Sequence, residues 1–246
     1  MRLNAHKRNW EDLADVDPLW AILSDSRRQH GGWNLDEFFQ SGEQEIANMM
    51  ASAERLGYPS HRRRALDFGC GVGRLTRALA SRFERCDGID VSERMIQRAQ
   101  ELNSEFRDCH FSVNNTNNLQ IFPDDTFDLI YSSLVLQHIP HRGDIEGYIL
   151  EFIRVLRHEG LLVFQLPSHI SLRHRLQPRR RLYSFLRSIG VSHTWLYNTL
   201  HLNPMKMSFI PVHDVVDVIT RSGARVVHIE TKQTPHYQSS VYSVTK

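Results

Sequence analysis

The sequence has few cysteines, no long apolar run and no strong excess of one charge. Its three cysteines, Cys70, Cys86 and Cys109, are odd in number and lack a Cys-x-x-Cys spacing. This argues against a disulfide framework or a zinc site and favours a reducing compartment. No apolar run approaches the roughly 18 residues that cross a bilayer, and residues 1–13 lack the apolar segment of a signal peptide. We therefore expect a soluble, cytoplasmic protein.

The net charge and the chain length are both ordinary for a soluble globular protein. A formal charge of +2 is close to balanced, so the overall charge indicates no nucleic-acid or membrane partner. The 246 residues suit one large α/β domain with an accessory part, or two small domains.

Strand and helix patterns alternate along most of the chain. Apolar runs bounded by turn residues predict strands over 64–69, 86–91, 109–114, 127–136, 161–167, 225–232 and 237–245. Amphipathic stretches predict helices over 8–24 with a break at Pro18, 35–56, 73–83, 92–103, 144–157 with Gly160 marking its end, and 213–224. The alternation predicts a mostly parallel sheet with helices on both faces. The short gap containing Pro235 permits a hairpin, so the last strand is expected to run antiparallel.

Residues 66–75, LDFGCGVGRL, place three glycines on alternate positions between a predicted strand and a predicted helix. Glycine permits positive φ and close approach to a ligand, and a helix start offers free N–H groups. The dinucleotide pattern GxGxxG does not fit, because its third glycine would fall on Arg74 or Thr76. Asp67, just ahead of Gly69, would repel phosphate and attract an ammonium or sulfonium group. The loop indicates a ligand with a positive end, and a tight strand-to-helix turn is the structural alternative.

A second acid, Asp90, ends the next predicted strand. A carboxylate at that place can hold a ribose diol by two hydrogen bonds. Capping of the helix that starts near Ser92 is the alternative role, and the two roles are compatible.

Three stretches together resemble the signatures of class I S-adenosylmethionine-dependent methyltransferases: LDFGCGVGRLTRAL, GIDVSERMIQRA and FPDDTFDLIYSSLVLQHI. LRHEGLLVFQLP is similar to the family's stretch around its fifth strand, so the resemblance covers roughly residues 62–167 together with the closing strand pair. It implies a Rossmann-like, seven-stranded, mostly parallel sheet with an antiparallel last strand. It also implies S-adenosyl-L-methionine as the cofactor, bound across the carboxyl ends of the strands.

Carried over position by position, the resemblance implies cofactor contacts at Asp67, Gly69, Gly71, Arg74, Asp90, Val91, Met95, Asn115, Thr116 and Ser132. Asp67 would lie near the amino group, and Asp90 would hold the ribose. Asn115 stands where the family often has an Asp for the adenine amine, and this alignment can shift by one or two residues. Arg74 is a candidate for the cofactor's carboxylate, with a solvated helix residue as the alternative.

The resemblance also implies a division of the chain. Residues 1–60 would form a helical lid, 61–167 the cofactor-binding core, 168–212 a helical insert over the site, and 213–246 the last helix and strand pair. Five lid residues are expected to close over the cofactor and line an acceptor pocket: Trp20, Trp33, Phe38, Phe39 and Glu43. Core packing is the alternative for the aromatic ones.

Methyl transfer from a sulfonium is an in-line displacement that requires positioning, with no metal and no covalent enzyme intermediate. A base helps where the acceptor is a hydroxyl or a protonated amine. Polar residues follow the fourth strand: Tyr131, Ser132, Ser133, Gln137, His138 and His141. We select His138 as base or substrate orienter because a histidine side chain can titrate near neutrality and this one lies just past the strand end. A structural histidine bonded to the backbone is the alternative.

The stretch YSSL after the fourth strand lacks the Asn/Asp-Pro-Pro-aromatic motif typical of nucleic-acid amino methyltransferases. This favours a small-molecule acceptor methylated on O or N. Residues 171–187 contain six arginines and one histidine, which leaves open an anionic acceptor, docking to nucleic acid or a membrane surface, or a solvated face. An RNA- or protein-modifying methyltransferase that docks through this segment is one alternative, and a non-catalytic cofactor-binding or partner subunit is another.

Overall fold

Seven strands form one sheet in the computed structural model, which describes residues 2–171, 175–234 and 237–246. They are β1 (Arg64–Phe68), β2 (Arg85–Asp90), β3 (Cys109–Val113), β4 (Phe127–Ser132), β5 (Leu156–Ile170), β6 (Arg225–Gln233) and β7 (Tyr237–Thr245). Their order is β3-β2-β1-β4-β5-β7-β6. The pairs from β3 to β5 are parallel, and β7 runs antiparallel to both neighbours. The predicted fold is confirmed; Pro235 lies outside the described residues.

Helices flank the sheet and precede it. They are α1 (Arg2–Val16), α2 (Pro18–Ile22), α3 (Leu35–Leu56), α4 (Arg74–Ala80), α5 (Glu93–Leu102), α6 (Arg142–Val155), α7 (Pro178–Ser188), α8 (His193–Leu200) and α9 (Val212–Arg221). Within the described residues, none of these helices combines the length and apolar character that crossing a membrane requires.

Side chains alternate between two apolar layers along the central strands, as the pleat requires. Leu66 and Ile130 pack with α6 and α9 on one face of the sheet. Ala65 and Leu129 pack with α3 and α4 on the other. Because both faces are covered, the ligand-accessible part of the sheet is its carboxyl edge.

Local signals explain the ends of the first helices. Pro18 begins α2 directly after α1 ends, because proline disfavours the helical conformation in the residue before it. Asn34 Oδ1 accepts from the backbone N–H of Asp36 and Glu37 at 2.9 and 3.1 Å, which caps α3. Gly57, with φ 77°, ends that helix.

Strand β5 begins earlier than predicted, at Leu156. Leu156 pairs with Phe127 and Leu161 pairs with Leu129, so the residues between them bulge out of the ladder. Gly160 does not mark the end of α6. It lies in this bulge, where a Cβ would stand 2.9 Å from the Arg157 carbonyl oxygen. Gly160 is therefore required by a close approach of backbone atoms within a strand. Sequence alone does not distinguish such a glycine from one that ends a helix.

Candidate active site

A cavity of about 430 Å³ opens where the parallel strands end. Loops after β1, β2, β3 and β4 supply one wall, including Gly69, Gly71, Asp90, Asn114 and Ser133. The other wall consists of Trp10, Ala21 and Ile22 from the first two helices, and residues from His138 to Tyr148. Its volume lies within the range of small-molecule sites, and its place is where open α/β sheets bind ligands.

The structure brings together about half of the predicted site residues. Those that line the cavity are Gly69, Gly71, Asp90, Val91, Met95 and His138. Those outside its lining are Asp67, Arg74, Asn115, Thr116 and Ser132. Ser132 is fully buried, and its Oγ has no hydrogen-bond partner among the described residues.

The glycine loop has no room for side chains at two of its positions. Gly69 and Gly71 have φ values of 76° and 53°, a region that strongly favours glycine. A Cβ on Gly69 would lie 2.4 Å from Val135 Cγ2, and one on Gly71 would lie 2.4 Å from Ile22 Cδ1. The loop therefore presents bare backbone to the cavity, as the predicted cradle requires.

Asp90 sits at the tip of β2 and holds the glycine loop. Its Oδ2 accepts from the Gly71 N–H at 3.0 Å, and its Oδ1 accepts from the Ser92 N–H at 2.9 Å. Burial raises the pKa of Asp90, while these backbone hydrogen bonds oppose the shift. Each carboxylate oxygen can accept a further hydrogen bond, so the group fits a ribose diol. Ser92, rather than Asp90, is the cap of α5, because its Oγ accepts from the Met95 N–H at 3.1 Å.

Asp67 lies behind the loop rather than in the cavity. Its Oδ2 accepts a hydrogen bond from Thr76 Oγ1 at 2.6 Å on α4. The side chain is 1% exposed, and this burial raises the pKa of Asp67 to about 7. The carboxyl thus ties β1 to α4, and its predicted contact with a cofactor amino group stays a prediction.

Arg74 is a buried helix residue that joins α4 to α3. Its Nη2 lies 2.7 Å from Glu45 Oε2, and the Tyr131 hydroxyl donates to Glu45 Oε1 at 3.0 Å. Arg74 is only 3% exposed, so it is not the solvated residue considered as the alternative. Its predicted contact with the cofactor's carboxylate stays a prediction.

After β3, the residues that reach the cavity are neighbours of the predicted pair. Asn114 and Asn117 line it. The Asn115 Oδ1 instead accepts from Lys7 Nζ at 2.9 Å, and Thr116 Oγ1 donates to Asn114 Oδ1 at 2.8 Å. The cavity residues thus flank the predicted pair on either side, and the predicted cofactor contacts of Asn115 and Thr116 stay predictions.

His138 lines the cavity with its ring fixed by two neighbours. Its Nδ1 lies 2.7 Å from the Lys206 carbonyl oxygen, which makes Nδ1 the donor, and Gln137 Nε2 lies 3.2 Å from its Nε2. Burial lowers the pKa of His138 to about 4. The ring is thus neutral at physiological pH but a weak base, which suits orientation of an acceptor better than removal of a proton.

The lid reaches the site through residues other than those predicted. Trp20, Phe38 and Phe39 are buried in a core with α1 and α2, as the packing alternative stated. The Trp33 Nε1–H donates to the Leu23 carbonyl at 3.1 Å, and Glu43 lies on the exterior near Arg77. Trp10, which the sequence reading missed, lines the cavity and packs edge-on against His138 with ring centroids 5.4 Å apart. Its position in an amphipathic stretch gave no signal that distinguished it from core aromatics.

Glu11 is a second residue that the sequence did not reveal. Its carboxylate accepts from the backbone N–H groups of Glu93 and Arg94 at 2.7 and 3.3 Å. Helix α1 thereby supplies an acid at the N-terminus of α5, where the helix dipole favours negative charge. No local pattern predicts a cap supplied from 82 residues away.

Comparison with known proteins decides the family. Residues 66–164 match the family model described as a methyltransferase domain. Residues 66–164 are therefore a methyltransferase domain, of the S-adenosylmethionine-dependent type that the three signature stretches resemble. The family and the cofactor expected from the three signature stretches are thereby confirmed.

Relatives of this methyltransferase domain act in different reactions. The demethylmenaquinone methyltransferase of Tropheryma whipplei is 35% identical over 118 residues, which cover 48% of this chain and 46% of that protein. The trans-aconitate 2-methyltransferase of Variovorax paradoxus is 28% identical over 165 residues, 66% of this chain and 58% of that one. The chain therefore spans about half the length of these curated relatives.

A solved structure shares the fold over its whole length. Magnesium protoporphyrin IX methyltransferase from Synechocystis PCC 6803, with bound SAH, matches with a TM-score of 0.65 at 18% identity and covers 100% of both chains. At this identity the similarity concerns the fold alone.

Proposed function

We propose that this protein transfers a methyl group from S-adenosylmethionine to an oxygen or nitrogen atom of a small-molecule acceptor. The observation that carries the proposal is the cavity that joins Gly69, Gly71 and Asp90 at one end to His138 and Trp10 at the other. S-adenosylmethionine, when bound, supplies an activated methyl group, so the chain's own work is positioning and electrostatics.

The residues present fit this cofactor. Gly69 and Gly71 present bare backbone to the cavity, because a Cβ at either position would clash with Val135 or Ile22. Asp90 offers two carboxylate oxygens for the ribose hydroxyls, and Val91 and Met95 offer apolar surface for the adenine. Asn117, which lines the same cavity, offers an amide group to the polar edge of the base, whereas the Asn114 amide is bonded to Thr116 and Asn118. Asp67 ties β1 to α4 through Thr76, and Arg74 joins α4 to α3 through Glu45.

His138 is assigned an orienting role. With Nδ1–H held by the Lys206 carbonyl, its Nε2 is an acceptor that can bind a donor group of the methyl acceptor in place of Gln137. Its low pKa keeps the ring uncharged over the working pH range. Trp10 adds an aromatic surface, which favours an acceptor with an apolar part.

Relatives support a small-molecule acceptor. The names of the two relatives and of the solved structure refer to demethylmenaquinone, trans-aconitate and magnesium protoporphyrin IX, all small molecules. The anionic character of the acceptor, inferred from the arginine-rich segment, stays a prediction, and Leu172, Arg173 and His174 of that segment lie outside the described residues.

A thermal-shift comparison tests the cofactor, because a ligand bound only by the folded state raises the unfolding midpoint. S-adenosylmethionine should raise the midpoint of the wild type, and NAD should not. Stabilisation by NAD alone would refute the proposal. Incubation of fractionated cell extract with methyl-labelled cofactor then identifies the acceptor as a labelled small molecule. Label found only in RNA or protein would overturn the acceptor class.

A further inference from the structure

The helical insert carries an exposed apolar stripe. On α7 and just past its end, Leu182, Phe185 and Ile189 are 47%, 61% and 62% exposed. Their spacing of three and four residues places them on one face of the helix. Tyr183 points the other way and is buried against Leu196 of α8. The helix thus has one face for the insert's own core and a second apolar face that the described residues leave uncovered.

The charge of the insert has a single sign. Between Gly160 and His213 the sequence contains six arginines and Lys206 but no Asp or Glu. Arg179 and Arg181 are both exposed on the helix that bears the stripe. Arg187, by contrast, is paired with Asp12 of α1 at 3.1 Å. A surface that combines apolar side chains with unopposed positive charge complements an apolar layer bordered by anions.

We propose that this α7 surface, formed by Leu182, Phe185, Ile189, Arg179 and Arg181, docks on an anionic lipid bilayer. The apolar side chains enter the boundary between head groups and acyl chains, while the guanidinium groups bind lipid phosphates. RNA would also attract the arginines and can stack a base on Phe185, but it offers no apolar layer for Leu182 and Ile189. The stripe therefore favours a lipid surface over a nucleic acid.

The insert is also in contact with the cavity wall. Arg187 binds Asp12, two residues from Trp10, and the Lys206 carbonyl accepts from His138. Docking would bring the acceptor end of the cavity next to the bilayer. The docking proposal itself does not depend on methyl transfer, because membrane binding is measured without cofactor or acceptor.

Co-sedimentation of the full chain with vesicles tests the proposal. We expect binding to phosphatidylcholine mixed with phosphatidylglycerol and much weaker binding to phosphatidylcholine alone. The double variant Arg179→Gln/Arg181→Gln should bind about 30-fold more weakly, because each arginine contributes about a fivefold factor in affinity. The triple variant Leu182→Ser/Phe185→Ser/Ile189→Ser should lose at least about tenfold in affinity while keeping its charge.

Matched substitutions elsewhere control for surface chemistry. Ile121→Ser/Leu150→Ser removes apolar side chains that are 51% and 45% exposed, and Arg27→Gln/Arg221→Gln removes two arginines whose side chains are 87% and 82% exposed. Both should bind vesicles as the wild type does. Wild-type binding that is absent, or that the control variants weaken equally, would overturn the proposal. So would binding to RNA that matches the vesicle affinity and ignores the triple apolar substitution.

Discussion

One end of the cavity is lined by backbone and by side chains at the ends of the strands. The other end is lined by side chains from helices outside the sheet. The glycine loop and Asp90 belong to the first end. Trp10 and His138 belong to the second, and they are held by the lid and by the carbonyl of Lys206. The first end is built mainly on the sheet, with Ile22 packed against Gly71 and Glu11 capping α5. The second end depends throughout on how the lid and insert pack. Substitutions at the two ends should therefore separate cofactor affinity from acceptor affinity.

The largest effect is expected from Gly69→Ala. A Cβ there would lie 2.4 Å from Val135 Cγ2 at a φ of 76°, so the loop would have to move. Left-handed strain and overpacking each cost about 1–3 kcal/mol, so the Kd for S-adenosylmethionine should rise by about 100-fold or more in calorimetric titration. Gly147→Ala is the matched control, because nothing lies within 4 Å of its added Cβ. Wild-type affinity of folded Gly69→Ala would refute the cradle.

Asp90→Ala should also weaken cofactor binding, by a smaller amount. The variant loses the acceptors for the ribose and for the Gly71 and Ser92 N–H groups. We expect about 1–3 kcal/mol less binding free energy for S-adenosylmethionine, measured by the same titration, and little change in the KM of the acceptor. Asp108→Ala, an exposed acid, serves as the control. An unchanged Kd would remove the ribose assignment.

His138→Ala should weaken binding of the acceptor and leave binding of the cofactor nearly unchanged. Loss of one neutral hydrogen bond costs about 1 kcal/mol, so the acceptor KM should rise about fivefold while the Kd of the cofactor stays within twofold. Steady-state kinetics with the identified acceptor measures the KM, and calorimetric titration measures the Kd of the cofactor.

The pH dependence sharpens this result, because burial lowers the pKa of His138 to about 4. The wild-type rate should show no ionisation of this residue between about pH 5 and about pH 8. A rate limb near pH 6.5 that disappears in His138→Ala would contradict the orienting role and restore that of a base.

Asp67→Asn should have the smallest effect on cofactor affinity, within about threefold, because its carboxyl faces Thr76 rather than the cavity. Its effect is on stability. The folded-state pKa of about 7 lies above the usual 3.8, so the wild type binds more protons folded than unfolded and loses stability as pH rises between these values. The asparagine variant should lack this slope in denaturant titrations at pH 4 to 7. An equal slope, or a tenfold loss of cofactor affinity, would contradict this assignment.

The sequence predicts the cofactor end of the cavity, because the residues of that end belong to local sequence patterns. Gly69, Gly71 and Asp90 follow strands at fixed offsets, so their meeting at the sheet edge follows from the βα alternation. The sequence did not predict that Asn114 and Asn117 line the cavity while Asn115 and Thr116 do not, because loop side chains turn in or out according to local hydrogen bonds such as that of Lys7 to Asn115.

The lid residues could not be predicted for a different reason. Trp10 and Trp20 occupy similar amphipathic stretches, yet only the first reaches the cavity and the second packs in the lid's core. That choice is made by tertiary packing of α1 against α5, through Glu11 and through the ion pair of Arg94 with Asp15. The burial of Arg74 could not be predicted either, because it depends on the tertiary contact with Glu45.

The cap that Glu11 gives to α5 has a consequence for any shortened form of this chain. Removing the first helix would do more than uncover the cavity, since it would strip the amides of Glu93 and Arg94 of their acceptor. Those amides begin the helix that follows Asp90, so the nucleoside end would loosen together with its cover. A truncation made to admit bulkier acceptors would thus also lower the affinity for the methyl donor.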